Sequence, residues 1–310
     1  MKKIYSLTVC LVLINFLFTG CHNKDLCPEC DQETGVEVKF NWQNVKDIPE
    51  GMTVLFYSPN GDLKYTFQNI PASGRLIRID AGTYQVACYN NDTEYVRWSG
   101  QDSISTLQVT MREGGLTEDH TRASTPPEIG RLVVMPDDLY GDVLHEITIK
   151  PFDPELQVIL LTPQTLLDFY TYEVSNIINA KYITNIRATL SGLSEIYFLG
   201  NPEHQVKSCT MPFMGNLSEQ NQEMIVGEMQ NFGYFRDPST RNLLTLYLWS
   251  PGGNIMATFD VTNQVRNAPD PRNVHIIINT TITVPPPIEG DDGIDPSVDE
   301  WKDITFDIIM

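Results

Sequence analysis

A period of two in the apolar residues constrains the fold of this chain more than any other feature of its sequence. It begins with Val36, Val38, Phe40 and Trp42, each separated from the next by one polar residue. Such alternation predicts a half-buried β-strand, because successive side chains of a strand point to opposite faces. Similar runs recur roughly every ten residues, as expected of a sandwich, with turn sequences such as Asn60-Gly61 between them. The sequence therefore predicts an all-β protein of the sandwich class.

The predicted strands cover most of the chain. In the first half they are 36–42, 53–57, 64–67, 76–79, 83–89, 104–110 and 131–135. In the second half they are 146–149, 157–161, 166–178, 186–190, 196–199, 243–249, 255–261, 274–279, 281–284 and 304–308. Thr262 is expected to cap a short helix that Pro269 ends.

The first 20 residues have the layout of a secretory signal peptide, with Lys2 and Lys3 before a short apolar run and a small-residue exit. The run is too short to be preferred as a membrane span of roughly 20 residues. The exit, Phe18-Thr19-Gly20-Cys21, is similar to a bacterial lipobox, in which the cysteine becomes the lipidated first residue of the mature chain. We therefore expect residues 1–20 to be removed, Cys21 to carry acyl chains such as palmitate, and residues 21–34 to form a polar tether.

Length and charge bound the remaining possibilities. The 310 residues suffice for two domains of ordinary size, and we expect them at 35–142 and 143–310. The formal net charge of -19 produces a field that repels nucleic acid. No nucleic-acid partner is expected.

The sequence holds no pattern typical of an active site. The five histidines have no metal-ligand spacing, and neither a phosphate-binding loop nor a nucleophile elbow is present. The acidic residues between 291 and 300 are interpreted as a solvated loop rather than a calcium site. We therefore expect no enzymatic activity, no cofactor and no metal.

The cysteines and Trp98 leave alternatives open. Cys27 and Cys30 are spaced for redox chemistry, half a zinc site or a small disulfide; in a polar tether we favour an oxidised pair or passive thiols. Cys88 lies in an apolar run and is expected to be a buried thiol. Trp98 lies in a polar stretch and is the best candidate for an aromatic ring that stacks on a glycan of the host or of another surface.

Several stretches resemble the fimbrillin-like superfamily of bacterial lipoproteins, which includes subunits and membrane anchors of fimbriae. The resemblance is carried by the lipobox with residues 21–27, and by residues 172–194, 259–279 and 298–310. It implies two tandem transthyretin-like β-sandwich domains, attachment to the outer membrane through the lipid, and a role in a fimbria, or pilus, and in cell adhesion. The alternative is a monomeric surface lipoprotein that binds glycan.

In this superfamily, subunits polymerise by strand exchange. An arginine-specific protease removes the first strand, and the C-terminal segment of a neighbour fills the groove by β-strand addition. The resemblance makes Val36, Val38, Phe40 and Trp42 the candidate first strand, and Ile304, Phe306 and Ile308 the candidate donor or closing strand. No arginine lies between Cys21 and Arg75. We therefore expect the chain to keep its first strand, as an anchor or a standalone lipoprotein would.

Overall fold

A computed structural model describes residues 33–43, 45–115, 130–151, 156–287 and 301–306. Within these ranges the protein is built almost entirely of β-strands, which confirms the predicted all-β class. Cys21, Cys27, Cys30 and the acidic residues between 291 and 300 lie outside the described residues. The transthyretin-like detail stays a prediction.

The described residues form twenty strands. The first eleven are β1 (Glu33–Phe40), β2 (Met52–Tyr57), β3 (Leu63–Ile70), β4 (Arg75–Asp80), β5 (Gly82–Asn90), β6 (Val96–Ser99), β7 (Gln108–Met111), β8 (Arg131–Leu132), β9 (Tyr140–Ile149), β10 (Gln157–Leu161) and β11 (Gln164–Thr165). The others are β12 (Asp168–Ile178), β13 (Asn185–Ser194), β14 (Ile196–Phe198), β15 (Ser208–Leu217), β16 (Ile225–Asn231), β17 (Leu243–Trp249), β18 (Asn254–Asp260), β19 (Asn273–Thr283) and β20 (Trp301–Phe306). Helical segments in the described ranges are a 3-10 turn, Ala180–Tyr182, and α1 (Thr262–Arg266). No helix of the described residues is long and apolar enough to cross a membrane.

Two sheets enclose a first hydrophobic core. One has the strand order β10-β1-β4, and the other has the order β11-β9-β5-β2-β3. Their facing side chains include Val36 and Val38 of β1, Phe56 of β2, and Val86 and Cys88 of β5, all fully buried. This burial confirms Cys88 as a core thiol.

A larger sheet packs against the face of the five-stranded sheet that points away from the first core. Its order is β19-β12-β16-β15-β13-β17-β18-β20, with β8 beside β15. Leu55 and Ala87, which face away from the first core, belong to the same buried cluster as Leu244 and Phe259 of this sheet. Every residue of β2 is buried because its sheet is covered on both faces. The two halves of the chain therefore share a continuous interior.

The predicted division between residues 142 and 143 falls inside β9. This strand pairs with β5 along most of its length, while β10 pairs with β1. The first core therefore draws on strands as far along the chain as β10. The division into two domains at this position stays a prediction.

Some local expectations were wrong. The segments 208–217 and 225–231 form β15 and β16, which the sequence did not predict. Thr262 does not cap α1: the helix is preceded by Val261, and the Thr262 hydroxyl accepts a hydrogen bond from the Asn242 amide at 2.9 Å.

Candidate interaction surfaces

β1, the candidate first strand, lies in the middle of its sheet. It runs parallel to β10, with Val38 opposite Ile159, and antiparallel to β4, with Val36 opposite Ile77. Val36 and Val38 are both 0% exposed. Removing β1 would leave two strands without their partner and open the first core to water.

Phe40 and Trp42, the other two candidate residues of the first strand, lie at the end of β1. Phe40 is the last residue of β1, whereas Trp42 lies beyond it. Their ring centroids are 5.5 Å apart, and the Trp42 indole N–H donates to the Ala72 carbonyl at 3.0 Å. Both rings pack against the first core and hold the exit of β1 in place.

The candidate closing strand forms the last strand of the large sheet. β20 pairs in parallel with β18, placing Ile304 opposite Ala257 and Phe306 opposite Phe259. Ile304 is partly buried against the cluster that includes Leu244 and Phe259. Ile308 lies outside the described residues.

Trp98, the candidate glycan contact, lies on β6 and is half-buried. Its ring stacks on Tyr89 with a centroid separation of 3.8 Å and an interplanar angle of 18°. Its indole nitrogen is buried and has no hydrogen-bond partner in the described part of the chain. One face of the ring is therefore covered, and glycan contact by Trp98 stays a prediction.

A groove of about 1100 Å³ crosses the outer face of β12, β15, β16 and β19. Phe169 and Met214, which are 39% and 59% exposed, contribute apolar surface. His275 Nδ1 is hydrogen-bonded to the Thr171 hydroxyl at 2.8 Å, and its Nε2 lies 3.7 Å from Glu173. Among the described residues no lysine or arginine lines the groove, so its charge disfavours an anionic ligand. Sequence reasoning missed it because β15 and β16 were not predicted.

An ion pair with one buried member holds β8. The Glu195 side chain is 1% exposed, and its Oε1 lies 2.7 Å from Arg131 Nη1. Arg131 Nη2 also lies 3.4 Å from the exposed carboxylate of Glu113. Arg131 thus joins β8 to the segment that connects β13 and β14.

Neither described thiol is reactive. Cys88 and Cys209 are buried and unpaired, and burial raises the pKa of both thiols above the ordinary value. Within the described ranges, no group of three or more His, Cys, Asp or Glu residues is placed to hold a metal ion.

Comparison with known proteins finds a matching family and a relative. Residues 20–214 match a family described as "Domain of unknown function (DUF5119)". A Bacteroides ovatus protein named "Putative fimbrium anchoring subunit Fim4B" is 29% identical over 197 residues, which cover 61% of this chain and 55% of that protein. The match thus spans about half the length of this relative.

Solved structures share the fold. The crystal structure of a protein described as a "putative adhesin", from Bacteroides ovatus, has a TM-score of 0.64 and 22% identity, covering 87% of this chain and 99% of the other. The fimbrial anchor protein Mfa2 from Porphyromonas gingivalis has a TM-score of 0.50 and 13% identity, covering 79% of this chain and 90% of the other. At these identities the likeness concerns the fold alone.

Proposed function

The chain belongs to the DUF5119 family, and we propose that it is a non-enzymatic protein of the cell envelope that anchors a fimbrium and contributes to cell adhesion. The observation that carries the proposal is its 29% identity to a protein named as a fimbrium anchoring subunit. The fold likeness to Mfa2, another fimbrial anchor, supports it. The partners implied are subunits of a fimbrium.

Attachment to the outer membrane through a lipid on Cys21 is part of the proposal. The first described strand begins at Glu33. An extended segment between Cys21 and Glu33 can span at most about 40 Å, at roughly 3.3 to 3.6 Å per residue. Such a tether would keep the folded part close to the membrane while the fimbrium extends away from it.

We infer that the chain keeps β1, as an anchor rather than a polymerising subunit would. Val36 and Val38 are fully buried between the two sheets, and the first arginine after Cys21 is Arg75, which already lies in β4. Only Lys46 offers a basic residue between β1 and β2. An arginine-specific protease therefore has no site at which it would release β1 alone.

The test is to delete the gene and measure fimbriae in the culture medium. An anchor predicts that fimbriae still assemble but are shed, and that Cys21→Ala has the same effect because the protein leaves the membrane fraction. Mass spectrometry of the mature protein should find an acylated Cys21 with β1 still attached. Fimbriae that remain on the deletion strain would contradict the proposal.

A further inference from the structure

β10 is the outermost strand of the three-stranded sheet. β1 occupies one of its sides, and no strand of the described residues pairs with the other. Edge strands present unpaired backbone groups that act as a template for another strand. Some backbone amides and carbonyls of β10 therefore point to this open side.

The hydrogen bond between Asn41 and Leu161 shows which backbone groups of β10 point to the open side. The Asn41 amide donates to the Leu161 carbonyl at 2.8 Å. In a strand, both backbone groups of a residue point to the same neighbour, and successive residues point to opposite neighbours. Because Leu161 faces β1, Ile159 also does, and the amides and carbonyls of Val158 and Leu160 point to the open side.

The side chains beside this open edge are apolar and exposed. Val158 and Leu160 are 47% and 54% exposed, and Leu156, just before the strand, is 54% exposed. Leu76 of β4, 58% exposed, lies on the same outer face, because Glu37 of β1 is opposite both Val158 and Leu76. Glu37 separates Leu76 from Val158, so the apolar stripe along the open edge consists of Leu156, Val158 and Leu160. Exposed apolar residues grouped in this way are a feature of interaction sites.

In contrast, the β19 edge of the larger sheet is already hydrogen-bonded at Ile277. The Ile277 amide of β19 donates to Gln264 Oε1 at 2.8 Å, and Gln264 Nε2 donates to the Ile277 carbonyl at 2.9 Å. The side-chain amide thus satisfies the backbone groups that a further strand would bind. β10 has the sequence QVILL, without a charge or a proline, the residues with which proteins usually protect an edge.

We propose that β10 accepts an extended strand from a fimbrial subunit, added to its outer edge while β1 stays in place. The inference rests on the proposed function and names the surface through which the anchor holds its partner. The partner strand carries apolar residues at alternate positions, which extend the stripe formed by Val158 and Leu160. Its backbone pairs with the outward amides and carbonyls of these two residues.

Charge adds one feature to the partner. The chain as a whole carries a net charge of -19. On the outer face of this sheet Lys39, opposite Leu160, is already paired with Glu37 at 2.9 Å. The exposed Arg78 lies on the same face. An acidic residue beside the partner's apolar positions would complement Arg78. The chain's own β20 is paired with β18, so β20 is not the strand that adds to β10.

Leu160→Pro tests the inference in the full-length protein expressed in cells. Proline removes the outward amide of Leu160 but no hydrogen bond to β1, and prolines are tolerated on edge strands with the N–H side facing solvent. We expect a folded, membrane-associated protein and an increase of shed fimbriae of about tenfold or more, near the level of the gene deletion. Leu160→Lys should act in the same direction. Ile178→Lys, which places a lysine at a similarly exposed apolar position of another sheet (47% exposed), should keep fimbriae on the cell.

The outcomes separate the two hypotheses. If deletion of the gene sheds no fimbriae, the proposed function is wrong. If deletion sheds them but Leu160→Pro and Leu160→Lys both retain them, the function stands and the edge inference is wrong. If Leu160→Pro does not fold, the amount of fimbriae shed by Leu160→Lys decides whether the edge inference stands. Light scattering that finds a wild-type dimer, converted to monomer by either variant, would assign the edge to a second copy and overturn the fimbrial partner.

Discussion

Tyr172 lies directly across Gly227, so that a Cβ atom added to this glycine would stand 2.3 Å from Cε1 of the tyrosine ring. The two residues are opposite each other on β12 and β16, and Gly227 is in turn opposite Gly215 on β15. A Cβ at Gly215 would lie 2.5 Å from the Tyr172 hydroxyl. One buried ring therefore covers two neighbouring strands, and only glycine leaves it room.

Gly227→Ala is expected to lower the free energy of unfolding by about 2 kcal/mol, because the methyl group displaces a ring held in a packed core. Chemical denaturation measures the change. Gly115→Ala is the matched control, since a Cβ there meets no atom within 4 Å; its effect should stay within about 0.5 kcal/mol. Equal stabilities for the two variants would contradict the packing of Tyr172.

Val38→Ala tests how far β1 contributes to stability. The side chain is 0% exposed in the first core, so the variant loses apolar burial and leaves a cavity, at a cost of about 2 kcal/mol. Lys39→Ala, the next residue along the strand and exposed to solvent, should change the free energy of unfolding by less than about 0.5 kcal/mol. A Val38 variant as stable as the wild type would mean that β1 is not held as described.

Tyr65 is one of several tyrosines whose raised pKa makes stability depend on pH. Burial, followed by the hydrogen bond to Asp80, raises the pKa of Tyr65 from 10.0 to about 12. Above pH 10.0 the unfolded chain ionises this phenol while the folded protein does not, so stability falls as pH rises toward 12. Tyr65→Phe should flatten this fall in thermal unfolding measured across that range.

The sequence predicted β1 because its alternation is uninterrupted and local, and β10 because Val158 to Leu161 form a short apolar run. It missed β15 and β16 because Pro212, Gly215 and Gly227 are unfavourable in strands taken alone. These glycines are required by Tyr172, which is distant in the chain, so no local pattern reveals them. The open edge of β10 was also beyond prediction, because the order of strands in a sheet depends on pairing between distant segments.

Glycan contact by Trp98 needs a test that separates binding from packing. Because Trp98 stacks on Tyr89 at 3.8 Å, Trp98→Ala also removes an aromatic pair, which contributes about 1 kcal/mol beyond its area. Tyr89→Leu removes the same pair and keeps the tryptophan. If Trp98 contacts glycan, only Trp98→Ala should lose binding on an array of neutral oligosaccharides. Equal binding by both variants would remove Trp98 as a contact.

Arg131→Ala should destabilise the protein more than Glu113→Ala. It leaves the Glu195 carboxylate, 1% exposed, without its cation, and an uncompensated buried charge costs roughly 3 kcal/mol. Glu113→Ala removes only the exposed partner, whose side chain is 75% exposed, and should cost less than about 1 kcal/mol. Chemical denaturation compares the two. Adding Glu195→Gln to Arg131→Ala should restore most of the lost stability, because the neutral amide needs no counter-charge. If the double variant is no more stable than Arg131→Ala, packing of the arginine, rather than charge, holds β8 in place.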